Sequence, residues 1–213
     1  MAAAAFRSAD EDTIEPRSWA LLLWVAYIVH QFEEHWIDLF GRIYAFHGSL
    51  NELLSGLTGS ESGVEFISPA SIFVINTSLV WLVGALAVLL GARHIFAVLC
   101  MTAIAVVNAV SHIGAGLVTG TYNPGLLTAL ILFLPFGVAA YVWLVHTEMA
   151  TVRLVLASLL WAFLAHVIMV AGILAMHWFG WIPELAYFTT LVVWSLLPAF
   201  LFSHASQPPS PDV

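Results

Sequence analysis

The stretch His30-Gln31-Phe32-Glu33-Glu34-His35 gathers two histidines and two carboxylates directly after the apolar run from Trp19 to Val29. Successive helical residues are rotated by about 100°, so His30, Glu33 and Glu34 fall within one arc of a helix. Asp38 lies on the same side one turn further on, and His35 points to the flank. An ionisable side chain at the centre of a membrane helix costs at least ~2.5 kcal/mol on insertion scales. A chain carries several on one turn where they pair, bind something or exchange protons. Helical bundles build metal sites from Glu and His at i, i+3 or i, i+4, projecting inward from facing helices. Asn108 and His112 repeat the i, i+4 spacing in a later apolar run. His30, Glu33, Glu34 and His112 then form a nitrogen and oxygen set without thiolate, which suits zinc or iron better than magnesium or calcium. The plainer reading is a buried network that only locks helices together.

Other polar residues weigh differently. Asp38 can pair with Arg42 at i, i+4, and Asn76 suits an interhelical hydrogen bond. His166, His177 and Glu184 are further candidates, whereas His94, His146 and His204 read as solvated ends. Tyr122-Asn123-Pro124-Gly125 is a turn that opens a new helix. The free N–H groups and positive dipole end of that helix can hold an anionic group or orient Tyr122 over the site.

These residues need helices to hold them, and the composition supplies such helices. The 213 residues are 62% hydrophobic and 8% charged, against about 25% charged in a soluble domain. Mean hydropathy is +0.98. The fold expected is an all-α polytopic transmembrane bundle of about six spans, with membrane lipids around it. The spans run about 17–40, 68–91, 94–118, 125–146, 151–178 and 181–203. Pro69 suits a first helical turn, and Pro135 is expected to kink the fourth span. Between spans one and two, Leu50 to Leu57 reads as a short amphipathic helix on the membrane surface, followed by a Gly/Ser turn. Residues 1–16 form an acidic polar segment expected to be retained, 17–204 one membrane domain, and 205–213 a disordered Pro-rich tail. With no lysine and five arginines, nucleic-acid binding is excluded. Cys100 is the single cysteine, so no intrachain disulfide forms.

The arginines set the orientation. With both termini inside, Arg7, Arg17, Arg93 and Arg153 face the cytoplasm and only Arg42 faces out, in keeping with the positive-inside rule. His30, Glu33, Glu34, Asn76, Asn108, His112 and Tyr122 then share the outer half of the bilayer, with His166 near mid-depth.

His30-Gln31-Phe32-Glu33-Glu34 resembles the signature of the HXXEE family of small bacterial integral membrane proteins. Asn108 and His112 on a later helix and Tyr122-Asn123-Pro124-Gly125 resemble that family's other two elements, in the same order. The resemblance spans roughly the first to the fifth span. It implies an enzyme of uncharacterised reaction in the bacterial cytoplasmic membrane.

The function expected is therefore a membrane-embedded enzyme acting on a lipophilic small molecule. In its metal form, zinc (hydrolysis) or iron (oxidation) sits on His30, Glu33, Glu34 and His112, with Glu33, Glu34, Tyr122 and Asn108 as catalytic groups. In its metal-free form, adjacent Glu33 and Glu34 cannot both ionise easily in low dielectric, so one stays protonated and, beside the other carboxylate and a histidine, protonates a double bond, as isomerisation or cyclisation of an isoprenoid requires. Phe32, Trp36, Phe73 and Trp161 are candidate walls for such a substrate. A proton- or metal-coupled transporter is the rival class, since buried Glu and His also build proton relays.

Overall fold

Pro16 occupies the first turn of helix α1 (Pro16–His35), where its missing N–H costs nothing. It opens the computed structural model of the chain, which describes residues 14–61 and 65–202. The acidic residues Asp10 to Asp12, Arg7, His204 and the C-terminal tail lie outside the described residues. Six further helices follow: α2 (Ala45–Thr58), α3 (Pro69–Leu90), α4 (Ile95–Thr119), α5 (Leu126–His146), α6 (Val152–Trp178) and α7 (Glu184–Ala199). Among the described residues the architecture is all-α, with a single isolated bridge between Ile37 and Ile43.

Helices α3 to α6 are each long and apolar enough to cross a membrane, which marks the chain as a membrane protein. Their starts follow local chemistry. Ser68 caps α3 by accepting from the Ser71 amide, ahead of Pro69, and Thr151 caps α6 by accepting from Leu154. Pro135 acts through a π-turn: residues Ala129–Phe133 widen just before it. This absorbs the hydrogen bond that Pro135 cannot donate and the clash of its ring with the preceding turn.

Helix α1 ends at His35, earlier than the expected end near Phe40. Beyond it, Asp38 closes a tight loop. Its Oδ1 accepts from the Phe40 and Arg42 amides at 2.9 and 2.8 Å, and its Oδ2 from Arg42 Nε and Nη2 at 2.7 and 2.6 Å. Asp38 therefore pairs with Arg42 as expected, from a loop and off the helical face it was assigned to. Helix α7 likewise starts only at Glu184, three residues beyond Trp181, because Pro183 takes an extended conformation at its N-cap. At 16 residues it spans about 24 Å, shorter than the ~30 Å hydrocarbon layer.

Helix α4 is the centre of the bundle. Of its most apolar stretch 72% is buried, against 22% for α6, and Ile95 to Ala105 are buried without a break. It packs against α1, α3, α5 and α6. Small residues let neighbours approach closely: the Trp24 indole fills the space a side chain would take at Gly84, and the Tyr187 ring that at Gly172. At the other end of α4, both ring nitrogens of His94 are buried. That corrects the expectation of a solvated end.

Helix α2 is longer than the amphipathic piece expected and lies across one end of the bundle. Asn51 ties it down: its Oδ1 accepts from the Phe66 and Ile67 amides at 2.8 and 3.0 Å. His47 Nε2 donates to the Ile67 carbonyl at 2.7 Å. These bonds bury Phe66 and Ile67 and turn the Leu50, Leu53 and Leu54 face of α2 inward, as a roof over an internal cavity.

Candidate metal centre

The C-terminal ends of α1 and α4 and the N-terminal end of α5 meet beneath that roof. There His30, Glu34 and His112 converge, all buried. His112 Nε2 lies 3.1 Å from Glu34 Oε1, and His30 Nε2 lies 3.5 Å from Glu34 Oε2. One ligand atom from each of the three residues lies within 4.8 Å of the other two, the separation a bound metal ion needs. His35 approaches the same carboxylate, with Nε2 3.3 Å from Oε2.

The outward nitrogens of both rings are fixed by partners from α5 and the turn before it. Thr128 Oγ1 has its hydroxyl hydrogen committed to Glu33 Oε2 at 2.5 Å or to the Gly125 carbonyl at 3.2 Å. It can only accept from His30 Nδ1, 2.8 Å away. Asn123 Nδ2 donates to the His112 carbonyl at 3.0 Å, which turns its Oδ1 toward His112 Nδ1 at 2.6 Å. Both histidines therefore carry a proton on Nδ1 and aim Nε2 at Glu34. Metal-binding histidines are held in this way, with the second ring nitrogen donating to an oxygen.

Glu33 lies beside this point and faces away from it. Its Oε1 accepts from the Tyr122 hydroxyl at 2.6 Å and the Leu127 amide at 3.1 Å. Its Oε2 accepts from the Thr128 amide at 2.8 Å and the Thr128 hydroxyl. The anionic group expected at the start of the fourth span is thus the protein's own carboxylate, seated on the free N–H groups and positive end of α5. The converging set is His30, Glu34 and His112, three of the four residues expected. The two glutamates sit in separate settings, Glu33 among Tyr122, Leu127 and Thr128 and Glu34 among the histidines. Tyr122 is held by Glu33 and accepts from the Leu39 amide at 3.2 Å. Burial, followed by the neighbouring Glu33 carboxylate, pushes its hydroxyl well above the ordinary tyrosine range, so it stays a donor.

Removing Glu33 is a testable consequence. Glu33→Ala leaves the Tyr122 hydroxyl and two α5 amides without their acceptor, while the Thr128 hydroxyl falls back on the Gly125 carbonyl. At 1–3 kcal/mol for each buried group left unpaired, with partial relaxation, the expected loss is about 3 kcal/mol. Thermal unfolding in mild detergent reads it, and Glu33→Gln, which keeps the shape, should recover part.

A chain with His and Glu at this spacing matches a known family model, described as a protein of unknown function with HXXEE motif, over residues 21–140. The chain belongs to the HXXEE family. No curated protein and no solved structure matches it. The HXXEE match runs from α1 into α5 and contains every residue of the centre described above, together with its Thr128 and Asn123 supports. Helix α6, which brings His166 to the cavity, lies beyond it.

The centre forms the polar pole of a cavity of about 280 Å³. Asn76, Asn108, Asn123 and His166 also reach that cavity. Asn108 sits one turn of α4 before His112, as its spacing predicts, and Asn76 Nδ2 meets His35 Nε2 at 2.8 Å across helices. His177 and Glu184 are exposed and line neither this cavity nor its neighbour. The aromatic walls expected are displaced too. Phe32, Trp36 and Phe73 are more than half exposed on the outer surface, and Trp161 is buried away from the cavity. The lining comes from Phe46 and the leucines of α2 and from the isoleucines of α3, α4 and α6. Thr128 is the site residue that sequence reasoning missed. Its signal is slight: it is the lone hydroxyl between Gly125 and Pro135.

Proposed function

We propose that this HXXEE protein is a membrane-embedded metalloenzyme acting on a lipophilic substrate, with zinc or iron held by His30, Glu34 and His112. One observation carries the reading. Two imidazoles, each with Nδ1 engaged by a partner oxygen, point Nε2 at one buried carboxylate, and in their neutral form each Nε2 carries a lone pair. His30 Nε2 is buried with no hydrogen-bond partner. Three electron-rich atoms facing one another in low dielectric repel unless a cation sits among them.

Two histidines and one carboxylate are a donor set shared by catalytic zinc sites and non-haem iron sites. A bound zinc ion supplies Lewis acidity and a more acidic water, whereas iron supplies oxygen chemistry. The chain's own residues do the rest. Thr128 and Asn123 hold the rings in one tautomer. Glu33 anchors α5 so that both supports stay in place. Asn108 and His35 face the cavity beside Glu34 and are placed to hold a substrate oxygen or a proton. In the orientation the arginines favour, the centre lies in the outer half of a bacterial cytoplasmic membrane with both termini inside.

A second reading has one observation in its favour. The 3.1 Å separation of His112 Nε2 from Glu34 Oε1 also suits an imidazolium donating to the carboxylate. The cation is then a proton, and the protein an acid/base isomerase or cyclase of an isoprenoid or lipid. Elemental analysis decides between them. Protein purified in mild detergent without chelator is expected to hold about one zinc or iron per chain. Protein that holds none, and takes none up from Zn²⁺ or anaerobic Fe²⁺, would overturn the metal reading in favour of the proton.

A further inference from the structure

Two cavities adjoin beside the centre, and they differ in character. The first, bearing Glu34 and His112, is otherwise walled by apolar side chains such as Leu50, Leu54, Ile75, Leu79 and Ile173. The second, about 390 Å³, adds Glu52, Thr119, Thr121 and Tyr122 to apolar positions such as Leu57, and is the more polar of the two. Leu53, Ala115, Ser49 and Asn123 border both. Asn123, the residue that orients His112, thus stands on the boundary between an apolar chamber and a polar vestibule. At about 280 Å³ the chamber lies at the lower end of the ~300–1,000 Å³ range of small-molecule sites. That volume matches one hydrocarbon chain of about ten carbons.

The vestibule has a sign. Glu52 is exposed on it, and no arginine lines either cavity among the described residues. Tyr122 is held by the Glu33 carboxylate, and Arg42 is engaged by Asp38. A phosphate or sulfate head would meet the Glu52 carboxylate there with no arginine to receive it. An amine or an uncharged polar head meets the Glu52 carboxylate and the Ser49, Thr119 and Thr121 hydroxyls.

We infer that the substrate is a single-chain amphiphile with an uncharged or cationic head, its hydrocarbon chain in the chamber beneath α2 and its head in the vestibule. This rests on the proposed enzymatic reading and names its substrate class. Three probes of equal chain length, matched to the chamber, test it: decylamine, decanol and decyl phosphate. They are offered to the full-length protein in nanodiscs of uncharged lipid, and retention is read by native mass spectrometry against empty discs. The amine and the alcohol are expected to be retained at 1:1, about tenfold above the phosphate. Glu52→Lys should bring the phosphate to within about twofold of the amine, and Leu50→Trp, which fills the chamber, should lower retention of all three. Equal retention of the phosphate by the wild-type protein overturns the inference, as does an order unmoved by Glu52→Lys or no retention of any probe. Metal content measured on the same samples separates the two failures. Protein that holds one metal per chain without sorting heads loses this inference alone, and protein that sorts heads without metal loses only the metal reading.

Discussion

Gly125→Ala is expected to abolish stoichiometric metal binding while leaving a folded helical bundle. Gly125 ends the Tyr-Asn-Pro-Gly turn with φ +93°, a conformation that L side chains rarely adopt. A methyl group there would lie 2.6 Å from His112 Cε1, 2.7 Å from His30 Cε1 and 3.0 Å from Glu34 Cγ. All three proposed ligands would have to move at once, and each is buried and held by a partner, so the displacement falls on the centre itself. The backbone strain adds about 1 kcal/mol. Gly120→Ala is the control. It shares the positive φ, at +66°, and a methyl there meets nothing within 4 Å. That variant should lose a similar increment of stability and keep its metal. The readouts are metal per chain after gel filtration and thermal unfolding of the same peak. Wild-type metal content in Gly125→Ala would show that the ion sits elsewhere.

That glycine shows where sequence reasoning succeeds and where it stops. The apolar runs and their caps mark helices α3 to α6 to within a few residues, because Ser68-Pro69, Pro124-Gly125 and Thr151 act locally. The i, i+4 spacings place His30 with Glu34, and Asn108 with His112, because a helix fixes angular position whatever surrounds it. The separate fates of Glu33 and Glu34 are set by neighbours. Adjacent residues differ by ~100° around the axis, so one carboxylate faces α4 and the other the start of α5, and only packing decides which meets the histidines. Asp38 and α2 fail for a related reason. Asp38 satisfies a helical spacing and a turn equally well, and Gly41, with φ +75°, selects the turn. The amphipathic pattern of α2 names an apolar face without saying whether lipid or a protein cavity covers it. Thr128 is invisible alone because a single hydroxyl in an apolar run most often bonds its own helix.

Glu34→Gln separates the metal from the proton, and the two readings predict opposite outcomes. If a metal is bound, the glutamine variant loses one of three anionic or lone-pair ligands. At 10–16 kcal/mol for a complete structural zinc site, one ligand is worth about 3 kcal/mol, so affinity falls by about two orders of magnitude. The stabilisation that added metal gives the wild-type protein then disappears at micromolar metal. If instead a proton is bound, Glu34 is the counter-ion of a buried imidazolium, and the same substitution strips a buried ion pair of one partner at a cost of about 3–5 kcal/mol. The variant then melts well below the wild-type protein whether or not metal is present. Melting curves with and without added metal therefore assign the cation: a metal-dependent rise in the wild-type midpoint that Glu34→Gln lacks favours the metal, and a large drop in Glu34→Gln with neither protein responding to metal favours the proton.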